Sequence, residues 1–253
     1  MIPKIIHYCW LSGDSFPTNI QQCLNSWKKH LSGYEIWLWD ANRFDVNSIS
    51  WTKQAFEAKK YAFAADYIRL YALYNYGGIY LDSDVTVYKK FDKLLRLPYF
   101  IGHDQIRAFE AAVIGAEKGC KWVKDMVDSY EGKTFVKQDG SYDMLTLPCR
   151  MHLVLTGMDY KFHLIHKETP YAEEAKVMYV FDGDFFNSRN AVEVRQTPKS
   201  YCAHNYANSW QSGANNRKEI KNLLPKWMLK NLYVIGQRTW ARHKYAWFQI
   251  PFE

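Results

Sequence analysis

The stretch "YGGIYLDSDVTVY", residues 76–88, combines an apolar β-type pattern with two aspartates. Side chains alternate between the two faces of a strand, so we expect one continuous strand here. One predicted face holds Ile79, Leu81, Val85 and Val87, and the other holds Tyr80, Asp82, Asp84 and Thr86. This pattern predicts one face against the core and one face that gathers negative charge.

The two aspartates of this motif favour a cation between them. Neighbouring carboxylates repel each other, and their removal from water costs further free energy unless a positive charge is present. A divalent metal is therefore the first hypothesis. The alternative is a solvated strand end where both side chains project into water, and an isolated Asp-x-Asp does not decide between the two.

The segment before the motif, "KKYAFAADYIRLYALYNYGG" (59–78), predicts a helix that ends at the two glycines. Asp66 and Arg69 stand three residues apart and so share a face of this helix. One interpretation is an ordinary surface ion pair. Their mostly apolar neighbours favour the other, a half-buried pair that points at a ligand.

The order of the remaining segments indicates an α/β fold. Strand patterns at 3–11 and 34–40 enclose a helical pattern at 18–31, which is typical of a βαβ unit and a mainly parallel sheet. We expect further strands at 99–103, 111–116 and 177–181, and helices at 118–130 and 141–157. With 253 residues and 48% hydrophobic content, the chain predicts one large domain over residues 1–216.

Composition narrows the class of protein. Aromatic residues reach 17%, which suggests surfaces that stack on sugars or nucleobases. The five cysteines are scattered and odd in number, so we expect neither a disulfide framework nor a zinc site, and a reducing compartment is favoured. Residues 1–11 show no secretory leader pattern, and no apolar run reaches the bilayer-spanning length, so we expect a cytoplasmic protein.

The net charge of +7 is concentrated after residue 216, where eight Lys or Arg stand against two Glu. Residues 217–253 predict a basic, amphipathic helical extension whose apolar stripe comprises Leu224, Met228, Leu232 and Ile235. Attraction to anionic lipid would place this extension at the inner face of the cell membrane as a peripheral contact. Alternatively, the stripe packs on the protein's own sheet and the basic residues face water.

Three segments together resemble glycosyltransferase family 32, the DXD-containing sugar transferases of capsule and lipopolysaccharide synthesis: "IPKIIHYCWLSG" (2–13), "YAFAADYIRLYALYNYGGIYLDSDVTVY" (61–88) and "AHNYANSW" (203–210). The sequence is more distantly similar to the glucosyltransferase domains of clostridial toxins. The resemblance covers about residues 1–115 and 200–210. It implies a GT-A fold, in which a Rossmann-like sheet binds the nucleotide at its carboxyl-terminal strand ends.

The resemblance also implies an activity. It is transfer, with retention of configuration, of a hexose or N-acetylhexosamine from a nucleotide diphosphate sugar, most simply UDP-linked. The acceptor would be a cell-surface glycan, such as a lipid-linked capsular or O-antigen intermediate. The implied cofactor is Mn²⁺ or Mg²⁺, because a hard cation held by carboxylates offsets the charge of the departing diphosphate.

The family motifs assign roles to individual residues. Asp84 resembles the direct metal ligand, Asp82 would bind both ribose and metal, and His204 would complete the metal shell. Asp66 and Arg69 match the helix pair that holds hydroxyls of the donor sugar, with Arg69 also near the diphosphate.

Further positions match the nucleotide-binding parts of the motifs. Tyr80 would pack against the nucleotide, Trp10 would stack on the base, and Ser209 with Trp210 would hold the diphosphate. Asn205 and Tyr206 depart from the family pattern, which more often has His and Trp there, so the group that contacts the β-phosphate stays open. Asp104 and Glu110, at predicted strand ends, are candidates for sugar or acceptor contact, and the favoured interpretation of each is a surface carboxylate.

Two other classes of protein fit part of the pattern. A metal-dependent phosphoesterase or nuclease also uses paired carboxylates, but two-metal chemistry usually requires more ligands than this motif supplies. A nucleic-acid-binding protein would explain the pI near 9.0 and the many aromatic residues. The nearly neutral first 216 residues and the lack of a recognisable nucleic-acid motif count against that class.

Overall fold

A computed structural model describes residues 1–104, 106–187, 196–206 and 248–253. Its helices and strands follow in chain order: β1 (Ile5–Cys9), α1 (Thr18–His30), β2 (Glu35–Trp39), α2 (Ser50–Glu57), α3 (Tyr61–Tyr76), β3 (Gly78–Leu81), β4 (Val85–Val87), β5 (Tyr99–His103), β6 (Phe109–Ala116), α4 (Lys121–Asp128), α5 (Leu147–Gly157), β7 (Lys161–Ile165), β8 (Val177–Phe181) and β9 (Cys202–His204).

Seven of these strands form one sheet in the order β2-β1-β3-β6-β5-β8-β7. β1 is parallel to β2 and β3, and β8 is parallel to β5 and β7, whereas β6 is antiparallel to both β3 and β5. The predicted α/β class is confirmed, with β6 making the sheet mixed. This is the kind of architecture that the GT-A resemblance implies.

Apolar side chains cover both faces of the sheet. On one face, Tyr80 of β3 packs in a cluster with residues of α3, α4 and α5. On the other face, Ile79 and Leu81 pack in a second cluster with Trp27 of α1. The predicted division of β3 into two faces is confirmed, but both faces are core, so the expected charged face is not found on this strand.

The DXD segment differs from its prediction as a continuous strand. β3 ends at Leu81, and the carbonyl of Asp82 accepts a hydrogen bond from the N–H of Val85 at 3.0 Å, which closes a turn. β4 then leaves the main sheet and pairs with β9, so that Val85 lies opposite His204. Asp82 and Asp84 therefore lie in the turn between two strands.

Two glycines permit the abrupt change from α3 to β3. Gly77 and Gly78 have φ angles of +66° and +112°, a region that side chains with a Cβ rarely adopt. A Cβ on Gly78 would also lie 2.7 Å from the carbonyl oxygen of Ile5 on β1. The predicted helix end at these glycines is confirmed, and it delivers β3 directly alongside β1.

Several predictions from the C-terminal part of the sequence lie outside the described residues. These are the roles of Ser209 and Trp210 and the amphipathic stripe of the 217–253 extension, of which residues 248–253 alone are described. Within the described ranges, no helix combines the length and apolar character needed to cross a lipid bilayer.

His7 of β1 is linked by buried hydrogen bonds to β2 and to the junction between α3 and β3. Its side chain has no solvent exposure. Nδ1 accepts a hydrogen bond from Nε1–H of Trp39 at 3.0 Å, so Nε2 carries the ring proton and donates it to the carbonyl of Gly77 at 2.7 Å. Burial lowers the pKa of His7 to about 4, against the hydrogen bond to Gly77, so the folded protein keeps this ring neutral.

This neutral histidine predicts a loss of stability in acid. The folded pKa lies below the unfolded value of about 6.5, so the unfolded chain binds the extra proton first, and stability falls as the pH drops from about 6.5 towards 4. We expect the difference in free energy of unfolding between wild type and His7→Gln to be about 2 to 3 kcal/mol smaller at pH 4.5 than at pH 7. Urea unfolding at the two pH values measures this difference. A difference between the two proteins that does not change with pH would contradict the assignment of a neutral His7.

Candidate metal and donor site

Three predicted metal ligands converge beside the DXD turn. One ligand atom from each of Asp82, Asp84 and His204 lies within 4.8 Å of the others. The antiparallel pairing of β4 with β9 produces this arrangement, because it places His204 opposite Val85, and Val85 is the residue that follows Asp84. The residues predicted from two distant motifs are therefore neighbours in the fold.

His204 is oriented by a carboxylate on each side. Its Nε2 lies 3.5 Å from Oδ1 of Asp84, and its Nδ1 lies 3.1 Å from Oε1 of Glu110. Burial by itself lowers the pKa of His204, but Glu110 and Asp84 outweigh it and raise the pKa well above its usual value. In the metal-free protein, the two neighbouring carboxylates thus favour the protonated ring.

Glu110 was expected at the surface, and that prediction is wrong. Its residue is only 3% exposed, and its carboxylate accepts hydrogen bonds from Asn187 and from the hydroxyl of Tyr206 as well as contacting His204. The sequence did hold a signal, since Glu110 is the one charged residue of the strand "FEAAVIGA". Buried carboxylates require partners, and here they come from distant segments.

Asp104 is also not a free surface group. It is half-buried, and its Oδ1 accepts hydrogen bonds from the backbone N–H groups of Ile106 at 2.9 Å and Ala108 at 2.8 Å. Burial, and then the charge of Glu110, raise its pKa to about 7. The carboxylate stabilises the turn between β5 and β6, close to the candidate site.

Arg69 holds the other aspartate of the motif. Its Nη2 lies 3.0 Å from Oδ1 of Asp66 and 3.3 Å from Oδ1 of Asp82, while its Nη1 donates to the carbonyl of Ala111 at 2.7 Å. The guanidinium also lies 4.5 Å from the centre of the Tyr80 ring, a cation–π contact. With 5% exposure, Arg69 is a buried link between α3, the DXD turn and β6.

Asp66 and Tyr80 occupy the buried side of this link. Asp66 is 8% exposed, so the surface ion pair considered as an alternative is excluded; burial raises its pKa to about 7 against the opposing charge of Arg69. Tyr80 is 1% exposed and donates its hydroxyl to Oδ1 of Asp82 at 3.0 Å. Packing of Tyr80 against a nucleotide does not fit this burial, because its ring already contacts Arg69.

Asn205 and Tyr206, the two residues that depart from the family pattern, contact the residues that surround the metal cluster. The amide of Asn205 donates to the carbonyl of Asp84 at 2.7 Å and to the hydroxyl of Thr86 at 2.8 Å. The ring of Tyr206 lies 4.2 Å from that of His204, centre to centre. Both side chains therefore brace the groups that surround the cluster.

Trp10 lies at the edge of the sheet that also carries the aspartates. It directly follows β1, Asp82 directly follows β3, and these strands are parallel. The half-buried indole donates Nε1–H to the carbonyl of Asp14 at 2.7 Å and packs on Phe16, with ring centres 4.9 Å apart. Its stacking on a base stays a prediction.

The chemistry of the cluster fits the implied metal. Two carboxylates and one imidazole form a mainly oxygen-based ligand set of the kind that Mn²⁺ accepts, and Mg²⁺ prefers the carboxylates. Nδ1 of His204 faces Glu110, which leaves Nε2 as the nitrogen beside Asp84. Asp82, Asp84 and His204 are therefore the residues that would hold the ion.

Comparison with known families identifies the region that contains these aspartates. Residues 17–101 match the family described as "Glycosyltransferase sugar-binding region containing DXD motif". The match includes Asp66, Arg69, Asp82 and Asp84, and excludes Glu110 and His204. Residues 17–101, about a third of the chain, thus match a DXD-containing sugar-binding region of glycosyltransferases.

Two fungal relatives are similar to half of the chain or less. The chain is 30% identical over 130 residues to inositol phosphoceramide mannosyltransferase 3 of Schizosaccharomyces pombe, covering 50% of this chain and 36% of the relative. It is 34% identical over 106 residues to mannosyl phosphorylinositol ceramide synthase SUR1 of Saccharomyces cerevisiae, covering 40% of this chain and 27% of the relative. The chain thus spans about a third of the length of these relatives.

Among solved structures, the PaToxG glycosyltransferase has a TM-score of 0.47 at 22% identity, covering 62% of this chain and 69% of that chain. The galactosyltransferase LgtC, solved with donor and acceptor sugar analogues, has a TM-score of 0.41 at 14% identity, covering 87% of this chain and 96% of that chain.

The buried position of Arg69 predicts a large cost for its removal. Arg69→Leu would leave Asp66 and Asp82 without their shared cation, and we expect a loss of about 3 to 5 kcal/mol in the free energy of unfolding of the metal-free protein. Urea unfolding measures this loss. Lys124→Leu, which breaks an exposed pair with Asp128, is the control and should leave the stability close to that of wild type. Equal losses in the two variants would show that the Arg69 pairs contribute no more than a surface contact.

Proposed function

We propose that this protein is a retaining, metal-dependent glycosyltransferase. It moves a hexose or N-acetylhexosamine from a nucleotide diphosphate sugar, UDP-linked in the simplest case, to a glycan acceptor. The observation that carries the proposal is the convergence of His204 with Asp82 and Asp84, which lie within the matched DXD region.

Some residues of the site would hold the metal, and others orient the metal-holding aspartates. Asp82, Asp84 and His204 would hold Mn²⁺ or Mg²⁺, which offsets negative charge on the departing diphosphate. Arg69 and Tyr80 fix the orientation of Asp82 through contacts with the same Oδ1 atom. Asn205 fixes the backbone of Asp84. Preorganised carboxylates of this kind lower the reorganisation required when donor and metal bind.

The relatives' names extend the range of substrates to be tested. Two fungal relatives are named inositol phosphoceramide mannosyltransferase and mannosyl phosphorylinositol ceramide synthase. We therefore include mannose among the candidate hexoses and inositol-containing sphingolipids among the acceptors. A bacterial-type capsular or O-antigen intermediate, lipid-linked or free, remains the acceptor class that the family 32 resemblance proposes.

A phosphoesterase or nuclease is the second candidate, and the cluster counts against it. Across the described ranges, Asp82, Asp84 and His204 form the one group of three or more His, Cys, Asp or Glu residues with metal-ligand spacing. Two-metal phosphoryl transfer usually requires a larger set of ligands. Release of nucleoside diphosphate without cleavage of a phosphodiester separates the two activities.

The decisive experiment is a screen of UDP- and GDP-linked sugars for nucleotide release with Mn²⁺ or Mg²⁺. We expect one donor to give metal-dependent release that chelator abolishes. The anomeric configuration of the product, read by NMR, then tests retention. If no donor gives nucleotide release, with or without candidate acceptors, the proposed activity is overturned.

The metal site predicts the behaviour of Asp84→Asn. Loss of one carboxylate should reduce nucleotide release by about 100-fold or more, since the ion would lose a charged ligand. Mn²⁺ should raise the melting temperature of wild type through ligand linkage and should leave Asp84→Asn unchanged. The exposed control Asp139→Asn should behave as wild type in both assays. A normal Mn²⁺ shift in Asp84→Asn would remove Asp84 from the ligand set.

We also propose that the basic 217–253 extension binds anionic membrane at the inner face of the cell membrane. Each Lys or Arg near such a surface contributes about 1 kcal/mol, so a few of its eight would suffice. We expect the full chain to sediment with vesicles that contain phosphatidylserine at low salt, and not with neutral vesicles. Replacing Lys221, Lys226 and Lys230 with Gln should weaken this binding. A chain that stays in the supernatant with anionic vesicles would leave the packing of the stripe on the protein as the better interpretation.

A further inference from the structure

Glu110 is held by its own strand and by two distant segments of the chain. Its Oε1 contacts Nδ1 of His204 at 3.1 Å and accepts the N–H of Ala112 at 3.2 Å. Its Oε2 accepts hydrogen bonds from the amide of Asn187 and from the hydroxyl of Tyr206 at 3.3 Å. Both carboxylate oxygens thus have partners, and the side chain is fixed in a buried position.

This arrangement determines which nitrogen of His204 can bind a metal. A carboxylate accepts hydrogen bonds, so Nδ1 must carry a proton to bond with Glu110. Imidazole binds metals through its unprotonated nitrogen, which leaves Nε2. That nitrogen lies 3.5 Å from Oδ1 of Asp84 and belongs to the cluster with Asp82.

We propose that Glu110 is a positioning residue of the metal site. It holds His204 with Nδ1 protonated and Nε2 directed towards Asp82 and Asp84. The inference rests on the proposed metal-dependent function, which assigns His204 as a ligand. Glu110 itself contacts neither metal nor substrate in this role, since its oxygens are occupied within the protein.

Removal of Glu110 should weaken metal binding in a way that depends on its replacement. Glu110→Leu offers no acceptor for Nδ1–H, so the ring can adopt the other tautomer or rotate. Loss of such a partner typically costs 10- to 100-fold in metal affinity, and we expect a loss of that order, about 10- to 100-fold. Glu110→Gln keeps an oxygen that can accept from Nδ1–H, so we expect less than about 10-fold loss.

Asp104 supplies a matched control for charge. It is a second partly buried carboxylate close enough for the charges of Glu110 and His204 to affect its pKa, but its Oδ1 accepts hydrogen bonds from the backbone of Ile106 and Ala108. At a pH above about 7, where Asp104 is ionised, Asp104→Asn removes a negative charge and keeps an oxygen for those N–H groups, so the titrations are made at such a pH. It should change metal affinity by less than about 3-fold if positioning, and not total charge, is what Glu110 supplies.

The test is titration of the metal-free full chain with Mn²⁺ by calorimetry, for wild type and the three variants. The proposal is supported if wild type and Asp104→Asn bind Mn²⁺ most tightly, Glu110→Gln more weakly and Glu110→Leu most weakly. Equal losses in Glu110→Gln, Glu110→Leu and Asp104→Asn would overturn it in favour of a charge effect. Wild-type affinity in Glu110→Leu would overturn it outright. If wild type itself binds no Mn²⁺, the proposed metal-dependent function fails together with this inference.

A spectroscopic readout separates positioning from a purely structural role. In protein labelled with ¹⁵N-histidine and loaded with diamagnetic Zn²⁺, His204 of wild type should show a protonated Nδ1 and a metal-bound Nε2, with its signals assigned by their loss in His204→Gln. Glu110→Leu should show a mixed or inverted pattern. Circular dichroism shows whether the Glu110 variants fold. If none of them folds, the wild-type spectrum still tests the proposal, because metal binding through Nδ1 of His204 would overturn it.

Discussion

The constraint on which the candidate site depends is the crowding of four carboxylates beside the DXD turn. Asp66, Asp82, Asp84 and Glu110 are buried or half-buried there, and their mutual repulsion has to be offset by positive charge within the fold. Arg69 forms ion pairs with Asp66 and Asp82, while His204 lies between Asp84 and Glu110. The surrounding structure can be understood as the framework that holds these two cations in place.

The two cations differ in what they allow. An arginine stays protonated at any pH a protein tolerates, so Arg69 is a permanent part of the link between helix α3 and strands β3 and β6. Histidine can instead offer an unprotonated nitrogen to a metal. The same crowding that requires a cation in the metal-free protein thus creates a site where a divalent ion can replace the charge of the ring.

Much of the local structure was predictable because it depends on neighbours in sequence. The glycines at 77 and 78 end α3 through their backbone freedom, and the spacing of Asp66 and Arg69 places both on one helix face. The hypothesis of a cation between Asp82 and Asp84 followed from repulsion alone. The association of His204 with these aspartates came from the family resemblance, and its placement within 4.8 Å of them agrees with that prediction.

The sequence by itself thus determined the α/β class, the helix that leads into the DXD motif and the residue types suited to a metal. Tertiary structure decided the rest. It broke the predicted strand at Asp82, because β4 finds its partner in β9, more than a hundred residues away. It buried Tyr80 beneath Arg69 and gave Glu110 partners from Asn187 and Tyr206. Burial and pairing of this kind arise from contacts between distant segments, which local spacing and alternation do not encode.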